Sequence, residues 1–196
     1  MALINEEILE PLARTLRFRE GTKYIYKNKP LTIADLGCGP RAPYLNFLKR
    51  KKIKIKKYVG IDPLVKFDSK DQTGSGLKLS VKKTLPFKSN TFDYVVAFAF
   101  LEHIDHPKNV IGESLRILNT RGKLIITTPT PKAKRLLEFL SYSLKLLSRR
   151  EIEEHKNYFN KESLLKLLPK KNLKVIHKYF EFGLKLNKLL VVEKLK

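Results

Sequence analysis

The sequence has a single cysteine and no long apolar run. Cys38 stands alone among 196 residues, which excludes a disulfide within the chain and fits a reducing cytoplasm. The longest apolar run, YVVAFAFL at 94–101, is shorter than the roughly 20 residues that a membrane-spanning helix needs. The opening segment MALINEEILEPL is acidic and lacks the basic start and cleavage site of a secretory signal. We therefore expect a cytoplasmic protein in which Cys38 is a small buried residue.

Metal-ligand and covalent-catalysis patterns are missing as well. Histidine, cysteine and acidic residues do not recur at metal-ligand spacing, and no Ser, His and Asp set stands in a nucleophile motif. The sequence therefore predicts no metal site and no acyl-transfer triad. The length suits one well-buried domain over 1–196 and is too short for two of ordinary size.

A glycine turn follows an early apolar stretch, in IADLGCGP at 33–40. A strand that ends in such a turn lets the backbone approach a ligand, and the next helix offers free N–H groups. From Gly37 to Ala42 the spacing fits the dinucleotide fingerprint, with alanine in the third small position. Taken alone, the pattern fits a tight turn without a ligand better.

The next strand supplies a second signal. KKYVGIDP leads to Asp62, which follows Gly39 by 23 positions. An acidic residue at the end of the second strand can accept hydrogen bonds from ribose hydroxyls. Asp62 also precedes Pro63, so a turn role is the alternative, and the inference depends on the spacing. Together, the glycine turn and Asp62 predict a ligand that carries a ribose.

The nature of that ligand follows from charge. Pro40 lacks an N–H group that a pyrophosphate needs, and Asp35 places a negative charge just before the turn. S-adenosylmethionine carries a sulfonium, an ammonium and no phosphate, and therefore suits this turn better than a dinucleotide. The sequence here resembles a class I S-adenosylmethionine-dependent methyltransferase. A nicotinamide-dependent oxidoreductase is the competing enzyme class.

Three later segments extend the resemblance to the ubiquinone-biosynthesis-like (type 11) group of small-molecule methyltransferases. LPFKSNTFDYVVAFAFLEHIDHP, at 85–107, resembles the segment around the fourth strand of that group. ESLRILNTRGKLIITTP, at 113–129, resembles its following helix, turn and fifth strand, and EEHKNYFNKESLLKLL resembles a later element. The resemblance implies S-adenosylmethionine as the cofactor, with contacts from Asp35, Gly37, Cys38, Gly39, Asp62, Pro63, Lys82, Leu85, Phe98 and Ala99.

The sequence departs from the family pattern at two positions. Val81 stands where the family usually carries an acidic residue near the adenine amino group, so we expect adenine to rely on backbone groups and apolar contacts such as Leu85. Arg41 replaces the usual third glycine of the first motif, which allows an altered contact with the methionine end.

Two histidines are candidates for chemistry. Methyl transfer is an in-line displacement, so alignment and exclusion of water matter most and a general base is optional. His103 lies near the methyl group in the family geometry and has a suitable pKa range for a base, but we favour a packing role. His155 faces the acceptor or makes a helix-end contact, with equal support for each. We expect His106 at a helix start and Glu102 in a solvated or loop-bonding position.

A basic, leucine-rich segment at 132–149 is the main clue to the acceptor. We interpret it as part of a helical lid at about 130–158 that packs on the sheet or a dimer partner. The alternative is an amphipathic helix on an anionic membrane. The sequence thus predicts methyl transfer to a small or lipid-linked acceptor and leaves open the methylated atom and the oligomeric state.

The order of elements predicts an α/β fold. Alternating strands and helices indicate a Rossmann-like, seven-stranded, mostly parallel sheet with an antiparallel last strand and helices on both faces. Helices are expected at 3–18, 41–51, 107–119, 132–149 and 160–168. Strands are expected at 31–36, 54–61, 77–81, 92–99 and 122–128, and as a final hairpin that turns near Gly183.

Positive charge dominates the chain, with a net charge of +22 at pH 7 and 31 lysines against 10 arginines. This composition fits a biased genome, a thermophile's surface or an anionic partner. A nucleic-acid or protein methyltransferase, or a binding module, is therefore the alternative function. The densest run, KRKKIKIKK at 49–57, is expected to be a solvated face at the sheet edge opposite the cofactor.

Overall fold

The computed structural model describes residues 3–26, 28–67, 73–81, 84–133, 157–169 and 174–195, with only the backbone of 3–10. A seven-stranded sheet lies at the centre of this part of the chain. Its strands are β1 (Leu31–Leu36), β2 (Ile55–Ile61), β3 (Gly74–Leu77), β4 (Phe92–Phe98), β5 (Leu118–Pro129), β6 (Val175–Phe182) and β7 (Asn187–Lys194). The strands lie in the order β3-β2-β1-β4-β5-β7-β6.

The strand directions match the predicted fold class. Neighbours from β3 to β5 are parallel, whereas β7 runs antiparallel to both β5 and β6. β1 is buried along almost its whole length, as expected for a central strand that is covered on both faces. The seven-stranded sheet with an antiparallel last strand is thus confirmed.

Helices cover both faces of the sheet. They are α1 (Leu3–Thr22), α2 (Pro43–Arg50), α3 (Pro107–Ile117) and α4 (Lys161–Lys166). Phe18 of α1 and Leu48 of α2 pack with Ile33 of β1 in one buried cluster. Leu115 of α3 packs in a second cluster with Ala34, the next residue of β1. Consecutive strand residues point to opposite faces, so the two clusters form two core layers.

Most expected boundaries lie within a few residues of the observed ones, but the predicted strand at 77–81 is wrong. β3 is Gly74–Leu77, and its ladder begins with Gly74 opposite Tyr58 of β2. Its sequence, GSGL, has little intrinsic strand propensity, so pairing with β2 decides its conformation. The helix expected from 41 begins at Pro43, because Ala42 has a left-handed backbone with φ of 43°.

The carboxyl ends of β1, β2, β4 and β5 lie side by side at the same end of the sheet. Asp35 near the end of β1 lies in register with Gly60 of β2 and Val96 of β4. The run at 49–57 joins α2 to β2 at the opposite edge, where its basic residues are all exposed, as predicted. The segment expected as a lid at 130–158 falls mostly outside the described residues.

Candidate functional site

The glycine turn after β1 is shaped by two residues with positive φ. Gly37 has φ of 72° and Gly39 has φ of 69°, values that glycine adopts at little cost. A Cβ on Gly37 would lie 2.3 Å from the Phe100 ring, whereas a Cβ on Gly39 would meet no atom of the described residues within 4 Å. The turn is therefore tightly packed at Gly37 and open at Gly39.

Asp62 connects β2 to this turn. Its Oδ2 accepts a hydrogen bond from the Gly39 amide at 3.0 Å, and its Oδ1 accepts one from the Leu64 amide at 2.8 Å. The carboxylate is half-buried, and Pro63 beside it is exposed. The structure thus brings the two sequence signals, the glycine turn and Asp62, into direct contact.

The amides of the turn are already used within the chain. Gly37 and Cys38 direct their N–H groups to the Ile61 carbonyl oxygen at 2.8 and 3.4 Å, and the Gly39 amide binds Asp62. Pro40 has no N–H group. A pyrophosphate needs several free donors at this place, and residues 37–40 offer none. These residues fit a ligand that has ribose hydroxyls and no phosphate.

Asp35 lies beneath the turn and is almost completely buried. Its Oδ2 accepts a short hydrogen bond from the Tyr58 hydroxyl. Burial raises the pKa of the Asp35 carboxyl to about 7, although the Tyr58 hydrogen bond opposes the rise, and nearby Asp62 adds to it. The negative charge expected just before the turn is therefore weakened near neutral pH and directed at Tyr58, a partner that the sequence analysis missed.

Cys38 is a buried thiol whose sulfur donates to the Gly39 carbonyl oxygen at 3.3 Å. Burial raises the pKa of this thiol far above its ordinary value, and the carboxylates of Asp35 and Asp62 add to the effect. The thiolate is therefore not accessible near neutral pH. The expectation of a small buried residue beside the turn is confirmed.

The side chain of Phe98, at the end of β4, packs among aromatic rings of the core. The Phe98 ring lies 4.7 Å from the ring of Tyr44 and 5.2 Å from that of Phe18, on the face covered by α1 and α2. Ala99 has a left-handed backbone with φ of 47°, and its amide donates to the Thr127 carbonyl oxygen at 3.0 Å. Cofactor contacts by Phe98 and Ala99 stay predictions.

The segment expected to contact adenine is tied to α3. Leu85 is buried, its amide donates to Glu113 Oε2 at 2.8 Å, and its carbonyl oxygen accepts from Arg116 at 3.0 Å. Val81 is also buried. The backbone polar groups of Leu85 are thus already paired, and a contact with adenine through its side chain stays a prediction. Lys82 lies outside the described residues.

The LEH segment forms a short 3-10 turn, Leu101–His103, directly after β4. His103 is half-buried within it, and His106 is the N-cap residue of α3, as predicted. His155 lies outside the described residues. The base and packing roles of the two candidate histidines stay predictions.

Glu102 differs from expectation. It was expected to be solvated or to bond a loop, but it is fully buried, and neither carboxylate oxygen has a hydrogen-bond partner among the described residues. Burial raises its pKa to about 7, although its own backbone amide and the charge of Arg17 oppose the rise. The Asn157 amide donates to the Glu102 carbonyl oxygen at 3.0 Å, which holds the segment before α4 against this turn. The LEH spacing gave no signal of this burial.

Two other kinds of site are absent from the described ranges. No group of three or more His, Cys, Asp or Glu residues there can hold a metal ion. No helix in that part of the chain is long and apolar enough to cross a membrane.

Comparison with known proteins identifies the family. The family model described as a methyltransferase domain matches residues 5–178. An uncharacterised protein of Methanocaldococcus jannaschii is 32% identical over 126 residues, which are 64% of this chain and 50% of that protein. The chain therefore spans about half the length of this curated relative.

Solved structures share the fold. The plantazolicin methyltransferase BpumL, in complex with SAH, superposes with a TM-score of 0.71 at 14% identity, over 98% of this chain and 88% of that one. An S-adenosylmethionine-dependent methyltransferase from Mesorhizobium loti gives 0.64 at 13% identity, over 92% and 97%. The family match confirms the predicted methyltransferase class, and the superpositions show that the chain has the fold of S-adenosylmethionine-dependent methyltransferases, while the narrower type 11 group stays a prediction. The chain belongs to the methyltransferase domain family.

Proposed function

We propose that this protein transfers a methyl group from S-adenosylmethionine to an acceptor at the carboxyl edge of β4 and β5. The cofactor supplies an electrophilic methyl group on a sulfonium. The protein has to hold the cofactor, align the acceptor with the methyl group and exclude water.

The main support for this proposal is the hydrogen bonding of the glycine turn. Every amide of the turn at 37–39 is paired within the chain, while the Asp62 carboxylate stands half-buried at the same place. A dinucleotide would leave its pyrophosphate without donors there, whereas a nucleoside ligand without phosphate loses nothing. This argues against the nicotinamide-dependent alternative.

The residues around the turn have distinct roles in this proposal. Asp62 accepts hydrogen bonds from ribose hydroxyls through lone pairs that the Gly39 and Leu64 amides leave free. The open space beside Gly39 admits the cofactor close to the backbone. The turn after β4, which includes His103, covers the reacting end and positions it.

Calorimetry tests the proposal. We expect S-adenosylmethionine and S-adenosylhomocysteine to bind in the micromolar range, and NAD to show no saturable binding under the same conditions. Absence of binding by both sulfur compounds would refute the proposed function. Tight binding of NAD would restore the oxidoreductase alternative.

The acceptor that we propose is small or lipid-linked. The basic run at 49–57 lies at the sheet edge opposite the glycine turn, so nucleic acid bound there would be remote from the methyl group. We therefore expect binding to RNA or DNA to be lost at physiological salt, as for a generic polycation. Binding that persists there with a steep salt dependence would favour a nucleic-acid methyltransferase.

A further inference from the structure

A pocket rich in lysine opens beside the end of β5. It has a volume of about 220 Å³ and lies between the segment that follows β5, the start of α4 and the turn between β6 and β7. Its charged lining consists of Lys132, Lys161, Lys185, Lys188 and Glu181. Four lysines against one glutamate leave this lining with a formal charge of +3.

Lys188 distinguishes this pocket from an ordinary patch of surface lysines. It lies in β7 opposite Thr128 of β5, and only 2% of the residue is exposed. Its ammonium group donates a short hydrogen bond to the Phe159 carbonyl oxygen, which is its one partner among the described residues. An ammonium group has three N–H donors, so two are not used by the described residues and can serve a ligand in the pocket.

Burial of this cation has a cost in free energy that the described residues offset only in part. Burial lowers the pKa of Lys188 from its ordinary value, and the charge of Glu181 opposes that change. Glu181 is itself exposed and accepts a hydrogen bond from the Tyr179 hydroxyl at 3.0 Å. A buried ammonium with a single carbonyl partner is expected where an anion completes its coordination.

The pocket lies on the side of the sheet where the proposed reaction takes place. Thr130, which lines it, follows directly after β5, and the glycine turn follows directly after β1. Only β4 separates these two strands in the sheet. Strands are spaced by about 4.8 Å, so the ends of β1 and β5 are roughly 10 Å apart, a span that one acceptor molecule can cover.

We propose that this pocket binds a phosphate-type oxyanion of the acceptor, with Lys188 at its base and Lys132 and Lys185 at its mouth. Lysines act on phosphate as point charges, and a surplus of three positive charges favours a doubly charged group over a carboxylate. This inference rests on the proposed function, which it deepens by naming the substrate class. The phosphate belongs either to a soluble metabolite or to a lipid head group.

The experiment measures binding of inorganic phosphate and glycerol 3-phosphate to the full chain by calorimetry. The test variants are Lys188→Met and the double variant Lys132→Ser/Lys185→Ser. The matched control is Lys56→Ser/Lys57→Ser, which removes the same charge from two exposed lysines at the opposite edge. Binding of S-adenosylmethionine is measured in every variant.

We expect Lys188→Met to weaken phosphate binding by about tenfold or more, because a charge-assisted hydrogen bond is lost. We expect the double variant to weaken it by about fivefold, and the control to leave it within about twofold. If Lys188→Met does not fold, the double variant still tests whether the lysines of the pocket bind phosphate. No saturable phosphate binding, or equal weakening in the control, overturns the inference.

The two proposals fail in different ways. Phosphate binding without S-adenosylmethionine binding supports the pocket and refutes the proposed function. The reverse result overturns the pocket and leaves the function standing. Vesicles that contain phosphatidic acid identify the source of the phosphate: vesicle binding that Lys188→Met abolishes indicates a lipid, and binding of glycerol 3-phosphate alone indicates a soluble acceptor.

Discussion

The Gly39 amide donates to Oδ2 of Asp62 at 3.0 Å, which joins the loop after β1 to the end of β2. The other oxygen of the same carboxylate accepts from the Leu64 amide. One side chain thus stabilises the turn and, in our proposal, also binds the ribose. A change at Asp62 is therefore expected to affect stability and cofactor affinity together.

Replacing Asp62 with Ala removes both amide hydrogen bonds and the proposed ribose contact. We expect the free energy of unfolding to fall by about 1–3 kcal/mol and S-adenosylmethionine binding to weaken by roughly tenfold or more. Urea denaturation and calorimetry measure the two effects. Glu162→Ala, which removes an exposed carboxylate from α4, is the control and should change neither by as much. An unchanged dissociation constant in Asp62→Ala would show that ribose lies elsewhere.

The Asp35–Tyr58 pair predicts a pH-dependent stability. Because the pKa of Asp35 is raised to about 7 in the folded protein, the folded state binds this proton more tightly than the unfolded chain. The resulting stabilisation is complete below about pH 4 and is lost as the pH rises to about 7. Tyr58→Phe removes the donor that favours the ionised form, so we expect a loss of about 1.5–3 kcal/mol at pH 8 and a smaller loss at pH 5. Equal losses at both pH values would contradict this account.

Glu102 and Glu113 form a matched pair of glutamates with opposite surroundings. Glu102 is buried without a partner among the described residues, whereas Glu113 binds Arg116 at 2.8 Å and the Leu85 amide, and its pKa is lowered chiefly by Arg116. At pH 8 we expect Glu102→Gln to leave stability unchanged or raise it by about 1 kcal/mol, because it removes a buried charge. We expect Glu113→Gln to lower stability by about 1 kcal/mol.

Comparing pH 5 with pH 8 strengthens this test. The raised pKa of Glu102 implies stability that is lost as the pH rises from about 4 to about 7, and Glu102→Gln should remove that slope. Glu113→Gln should leave the slope in this range intact, because a lowered pKa acts below it. If Glu102→Gln destabilises as much as Glu113→Gln at pH 8, Glu102 has a polar partner that we have not identified.

The two glycines of the turn should respond differently to a methyl group. Both have positive φ, so each alanine costs about 1–2 kcal/mol of backbone strain. Gly37→Ala adds a clash with the Phe100 ring, which should make it the more destabilising variant, and Phe100→Ala in the same chain should relieve part of the loss. Gly39→Ala places its methyl group in the open space, so its main effect should be weaker S-adenosylmethionine binding. The reverse ranking in unfolding and calorimetry experiments would contradict this assignment.

The sequence allowed the fold to be predicted where local signals agreed with long-range pairing. The apolar run of β1, the glycine turn and Asp62 could be read directly, because strand, turn and spacing each have a local signature. β3 was misplaced because its four residues carry no strand signal and depend on pairing with β2. A strand whose conformation depends on hydrogen bonding to a neighbouring strand is hard to infer from its own sequence.

Side-chain environments at the site were less predictable. Glu102 follows an apolar strand and was expected in a solvated or loop-bonding position, yet it is fully buried in the turn after β4, against the segment at Asn157. Lys188 directly precedes the apolar run Leu189–Val192 of β7, and its ammonium group is paired with Phe159, which is 29 residues away in the chain. Both cases depend on segments that come together only in the folded molecule.

The late position of β7 in the sequence affects how the chain folds while it is being synthesised. β5 is buried over nearly all of its second half, but its partner on one side is β7, which follows it by more than fifty residues in the chain. While the chain emerges, β5 therefore remains an unpaired apolar edge until the β6–β7 hairpin has been made. Such an edge can pair with another chain, so chaperone protection should matter most during this interval.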